Sequence, residues 1–164
     1  MVETRWVIMA KKLLGIHIDD RRIICVEAKV SGSVAIEKIA TSTLPDNCIA
    51  NGFITDFNGA YGALDMLFHK TETTATEAII DIPPNLAYMK FIPFENGYLS
   101  ATNDQLSWEM SMHTGSADAS RISFFHQAKT TCLISAKSES IKTRAALVER
   151  AGISVLSAVP SSLA

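Results

Sequence analysis

The sequence predicts an α/β protein, either one domain or two small subdomains sharing a core. Three observations carry this. Apolar patterning along the chain reads βββαβ and then βαββαβ. A Pro83-Pro84 pair separates the two runs. Hydrophobic residues make up 48% of the 164, enough to bury a core of ordinary size.

The elements follow in order. "LLGIHI" (13–18) is a short apolar run suited to a central strand. "RIICVEAKV" (22–30) alternates, with Ile24, Val26, Ala28 and Val30 on one face. "SGS" (31–33) turns the chain, and "VAIEKIATSTL" (34–44) returns antiparallel, ending before Pro45. The stretch "PDNCIANGFITD" reads as a polar loop. Ala60, Ala63, Leu64, Leu67 and Phe68 then form an amphipathic stripe, which predicts a helix over 58–69. "EAIIDI" (77–82) is a buried strand, stopped by the proline pair.

The second run opens with the strand "LAYMKFIPF" (86–94), broken by "ENG". A helix follows to His113, with Thr102 and Gln105 placed as a capping box. Leu99, Leu106, Met110 and His113 share its side, and Gly115 is the stop. "RISFFHQA" (121–128) and "TCLISA" (131–136) predict a hairpin. Ser138 can cap a last helix over 139–151, with Ile141, Ala145, Val148 and Ala151 inward and Gly152 at its end. "ISVLSAV" (153–159) is a final strand. A chain that stops just after a buried-looking strand reads as the N-terminal part of something longer.

Composition excludes several classes of function. Lys+Arg 15 against Asp+Glu 17 gives a net charge of −2, with no basic cluster to attract nucleic acid or an anionic membrane. Three cysteines, Cys25, Cys48 and Cys132, make a disulfide framework an unsuitable reading and a reducing cytosol the default. Cys132, in an apolar strand, is a small core residue. His17, His69, His113 and His126 have no metal-ligand spacing, so no zinc site is expected. His69 and His113 fall at helix C-termini, where a cation suits the dipole. No G-x-S-x-G occurs and no catalytic residue is expected. No apolar run approaches the ~20 residues that cross a bilayer.

The order and several segments resemble the PilM family of type IV pilus assembly proteins, relatives of the division protein FtsA with an actin-like fold. That family opens on a pattern like G-I-D-I-G-S-x-x-V-K-x-V-E, and this chain has "GIHIDDRRIICVE". It carries a G-x-I-x-D loop, matched by "NGFITD" (51–56), and an I-x-W-E helix, matched by "LSWEM" (106–110). "ISAKSESIKTRAALVERAGI" (134–153) matches a further helical element. The resemblance covers residues 13–164. It implies 1–12 as an extension, 13–83 with 158–164 as an actin-like (RNase H-like) subdomain 1A, and 84–157 as an inserted SHS2-type subdomain 1C.

The same resemblance directs attention to the first hairpin. In an actin-like ATPase this turn carries a metal-holding Asp and a glycine whose backbone approaches phosphate. Here His17 stands at the Asp position and Asp19 at the glycine position, followed by Asp20 and Arg21. Two carboxylates would face the phosphate oxygens and repel them. The hairpin is therefore expected to be degenerate, with no ATP or magnesium cofactor. The implied role is a non-catalytic cytoplasmic scaffold, peripheral to the inner membrane. It would bind the short cytoplasmic peptide of a bitopic, PilN-like inner-membrane protein without inserting into the membrane itself. Candidate partner contacts are Phe53 and Ile54 in the loop, Tyr88, Met89 and Phe91 on the strand entering 1C, and Trp108 on its helix. Strand alternation allows either Tyr88 or the Met89/Phe91 pair to face a partner, not all three. Trp108 has two readings, packed on the small sheet or exposed as a contact anchor. The alternatives of the same fold are an actin-like ATP binder, a GspL-like type II secretion component and an FtsA-like division component. The sequence does not specify an oligomeric state.

Overall fold

The structure, a computed structural model, describes residues 10–93, 103–114, 120–127 and 130–163. The chain forms two compact units: Met1–Asp81 with Arg144–Val159, and Ile82–Thr143 with Pro160–Ala164.

The first unit is built on a five-stranded sheet. Strand β1 (Lys11–Ile18) pairs antiparallel with β2 (Arg22–Val30), which pairs antiparallel with β3 (Val34–Thr43). A two-strand ladder, β4 (Ile49–Ala50) and β5 (Phe53–Ile54), lies inside the stretch read as loop. Its turn is Asn51-Gly52, with φ of 51° and 79°, the paired positive values that a two-residue hairpin turn requires. Helix α1 (Phe57–Thr71) is capped by Asp56, whose carboxylate accepts from the Asn58 and Gly59 N–H groups. Strand β6 (Glu77–Ile82) returns parallel to β1, and β10 (Ser154–Pro160) lies on its far side, giving the order β10-β6-β1-β2-β3.

The core lies on one face of that sheet. Leu14, Ile16, Ile18, Ile23, Cys25, Ala78 and Ile80 meet Ala60, Ala63, Leu64, Leu67 and Phe68 of α1. Leu147 and Val148 of α3 (Ser138–Arg150) complete it. The inward face of β2 is therefore Ile23, Cys25 and Glu27, and the Ile24–Val26–Ala28–Val30 row lies on the other. Both rows are largely apolar, and the side on which the helices pack decides between them. The expectation that residues up to 157 belong to the insert also gives way. β10 is a strand of the five-stranded sheet, and the second half of α3 packs on that sheet's core. β1 likewise begins at Lys11, inside the expected extension.

The second unit is a three-stranded antiparallel sheet with one helix. Strand β7 (Ala87–Pro93), β8 (Ser120–Gln127) and β9 (Thr130–Lys137) are ordered β7-β9-β8, and α2 spans Asn103–Thr114. Ile92, Met110 and Leu133 form its small core, with Ile122 and Phe124 against them. Leu99, Thr102, Gly115 and the side chains of Leu106 and His126, which entered the sequence reading, lie outside the described residues.

Candidate functional site

The first hairpin turns at Asp19–Arg22, and the amides of Arg21 and Arg22 are already partnered by Asp19. Asp19 Oδ1 accepts from the backbone N–H of Arg21 at 2.7 Å and of Arg22 at 2.9 Å. Arg22 Nε donates to Asp19 Oδ2 at 3.1 Å. Partial burial pushes the Asp19 carboxyl up, but the Arg21 and Arg22 hydrogen bonds outweigh it, and its pKa lies below the ordinary value. A carboxylate thus sits where turn amides would otherwise receive an anion. Asp19, Asp20, Arg21 and Arg22 line an open depression of about 450 Å³ beside it.

Behind the turn lies a charged network that the sequence reading did not single out. His17 Nδ1 is 2.6 Å from Asp81 Oδ2, and the Ile18 N–H donates to Asp81 Oδ1 at 3.1 Å. Arg144, 1% exposed, reaches the same carboxylate at 3.5 Å. It also donates to the carbonyls of Ile18 at 3.2 Å and Gly52 at 3.0 Å. One guanidinium therefore ties the ends of β1 and β6 to the Asn51-Gly52 turn. Burial lowers the Arg144 pKa and outweighs the opposing pull of Asp81; a guanidinium starts so high that it remains charged. The Asp81 carboxylate is thus held between an imidazole and a buried guanidinium. The one signal in the sequence was that Arg144 lies three residues after Ile141 and four before Val148, on the side read as inward. Among the described residues, no three His, Cys, Asp or Glu side chains gather as a metal site.

The partner candidates fall in both units. Phe53 and Ile54 form β5, both half-buried, with Ile54 packed on the large core. On β7, the alternation separates the aromatic pair. Tyr88 stacks on the His113 ring at 5.8 Å, and Lys90 donates to Glu109 at 2.6 Å and to His113 Nε2 at 2.8 Å. The Lys90 hydrogen bond, ahead of the opposing effect of burial, holds the Glu109 carboxyl below its ordinary pKa. Met89 and Phe91 point to the other face. There Phe91, Cys132 and Phe125 form one cross-strand row, and Met89, Ile134 and Ser123 the next. Cys132 is buried while Phe91 is 56% exposed. Ser162 Oγ lies 3.8 Å from the Met89 sulfur. Trp108 takes the exposed alternative, at 63%, with Met112 one turn on at 61%.

No family model and no curated protein matches the sequence. Among the solved structures that match over nearly the whole chain are two with TM-scores above 0.6. One is the PilM–PilN type IV pilus biogenesis complex, at 12% identity and a TM-score of 0.76, over 92% of this chain and 47% of that one. The chain is similar in fold to that structure, a mixed α/β arrangement consistent with part of an actin-like fold. The other is the cytoplasmic domain of EpsL, an inner-membrane component of the type II secretion system of Vibrio cholerae. It aligns at 5% identity and a TM-score of 0.62, over 92% of this chain and 57% of that one. The chain spans about half the length of these structures. No helix among the described residues is long and apolar enough to cross a membrane.

Proposed function

We propose that this chain is a non-catalytic scaffold of a type IV pilus or type II secretion machine. It would work at the cytoplasmic face of the inner membrane and bind a short segment of a bitopic, PilN-like partner. The fold match to the PilM–PilN complex at a TM-score of 0.76 carries this reading. The hairpin supports the non-catalytic half. Its two turn amides are spent on Asp19, and an entering triphosphate would have to displace a carboxylate and then face Asp20.

The partner surface we assign is centred on Phe91, with Met89 beside it on the same face of β7. Tyr88 is engaged by His113, whereas Phe91 is exposed on an apolar row. A peptide laid across this surface would gain roughly 25 cal/mol per Å² of apolar area removed from water. Ordering the peptide offsets much of this, so micromolar affinity is expected. The test is calorimetric titration with the N-terminal cytoplasmic segment of a PilN-like protein from the same organism. Phe91→Ala should weaken binding by ~10-fold, as loss of an aromatic anchor does, and Tyr88→Ala should leave it within about twofold. Binding that survives Phe91→Ala, or is absent at hundreds of micromolar, contradicts the assignment.

A further inference from the structure

Strand β3 forms one edge of the five-stranded sheet, and among the described residues no strand pairs with its outer side. It is ten residues long and lacks proline. Three of the chain's most exposed large apolar side chains lie on it: Val34 at 71%, Ile36 at 63% and Ile39 at 68%. An exposed hydrophobic edge is a template for another strand.

This edge is complementary to itself. Laid antiparallel against a second copy with Glu37 opposite Lys38, it sets Ile36 opposite Ile39, Ala35 opposite Ala40 and Val34 opposite Thr41. Each pairing occurs twice across the two-fold axis. A regular strand could not use this register. Ile36 and Ile39 are three apart, so alternation would put them on opposite faces, and an axis normal to the sheet would match unlike faces.

The bulge in β3 removes that obstacle. The pairing with β2 shifts between Glu27 and Ala28, so Lys38 opposes Glu27, Ile36 opposes Ala28, and Glu37 is the extra residue. Ile36 and Ile39 thereby share the face of Ala28 and Val26, while Ala35 and Ala40 share the other. Bulges commonly blunt an edge; this one falls on the dyad and brings like faces together. The charges at the dyad are held in place. Glu37 pairs with Lys12 at 3.0 Å, and Lys38 donates to the carbonyls of Thr71 at 2.8 Å and Glu72 at 3.0 Å. Each would meet the opposite sign across the axis.

We propose that two copies of this chain associate antiparallel through β3, joining two five-stranded sheets into one. The occupant of the edge is a second copy because apolar, small and charged positions all match under a single register of the strand with itself.

The test uses the full chain, whose own cysteines are buried. Ile36→Cys and Ile39→Cys are made separately. Mixed under mild oxidation they form a disulfide-linked dimer, since facing cross-strand β-carbons lie ~5 Å apart. Each variant alone stays uncrosslinked, because the bulge leaves identical positions out of step by about two ladder steps, ~7 Å, too far for a disulfide. In sedimentation equilibrium, Ile39→Lys raises the dimer dissociation constant by ~10-fold or more, and its exposed position leaves the fold intact. A chain that remains monomeric up to about 1 mM, a dimer without the mixed cross-link, or an Ile36→Cys variant that cross-links to itself as readily as the mixture overturns the proposal.

Discussion

Arg144 shows how one buried charge can organise the first unit. Its guanidinium meets Asp81 and two carbonyls, and its Nε has no hydrogen-bond partner among the described residues. Replacing it by Met leaves the Asp81 carboxylate buried without its cation. Loss of one partner of a buried pair costs ~3–5 kcal/mol, so Arg144→Met should lower unfolding free energy by that order in urea titration. Adding Asp81→Asn removes the stranded charge, and the double variant should be less destabilised than the sum of the singles. A second buried charge sets an acid limit. Burial pushes the Glu27 carboxyl up, but the hydrogen bonds from Thr73 at 2.5 Å and Lys12 at 3.0 Å prevail and lower its pKa. The stability it contributes is present above the unfolded carboxylate pKa of ~4.3 and is lost as pH falls through the lower folded value. Glu27→Gln should therefore flatten the decline in stability measured below that pH. Neither Arg144 nor Glu27 was legible as a network member from sequence, because their partners lie on other elements far along the chain. His17, Asp19 and Arg21 were legible as a departure from a phosphate turn. That Asp19 fills the turn amides itself required the geometry.

Elements were read well where one periodicity ruled. The stripe Ala60–Ala63–Leu64–Leu67–Phe68 of α1 is the buried set, since a helix with one apolar face has one way to pack. β2 was ambiguous because both of its rows are apolar. In α3, Val148 is buried, but Ser140, Arg144 and Leu147 are more buried than Ile141 or Ala145. A polar serine and an arginine concealed that face. Asn51-Gly52 was a readable hairpin signal inside the segment taken as loop. The start of α1 gives a further test. A Cβ at Gly59 would lie 2.6 Å from Asp56 Oδ2 and 2.7 Å from Cys48 Sγ. The Asp56 carboxylate cannot retreat without giving up its cap bonds to Asn58 and Gly59. Gly59→Ala should therefore destabilise by ~1–3 kcal/mol through overpacking, although alanine is the better helix former by ~1 kcal/mol. Equilibrium denaturation reads the difference directly.

At the scale of the whole molecule, the actin-like arrangement came from the resemblance of the element order and four sequence segments to the PilM family. The fold match to the PilM–PilN complex and to the EpsL cytoplasmic domain agrees with it. Residues 144–157 were misassigned because helix and strand patterns carry no label of the sheet they join. That choice rests on Leu147 and Val148 meeting side chains from β1, β6 and α1. Actin-like folds are otherwise associated with nucleotide, so the proposal of a scaffold that works without one rests on the Asp19-filled turn. Thermal unfolding of the chain with and without millimolar Mg²⁺–ATP tests that proposal most directly. The expected result is an unchanged midpoint at every nucleotide concentration. A saturable, magnesium-dependent rise would contradict it, since a ligand at 100 times its dissociation constant adds about 2.7 kcal/mol to the folded state.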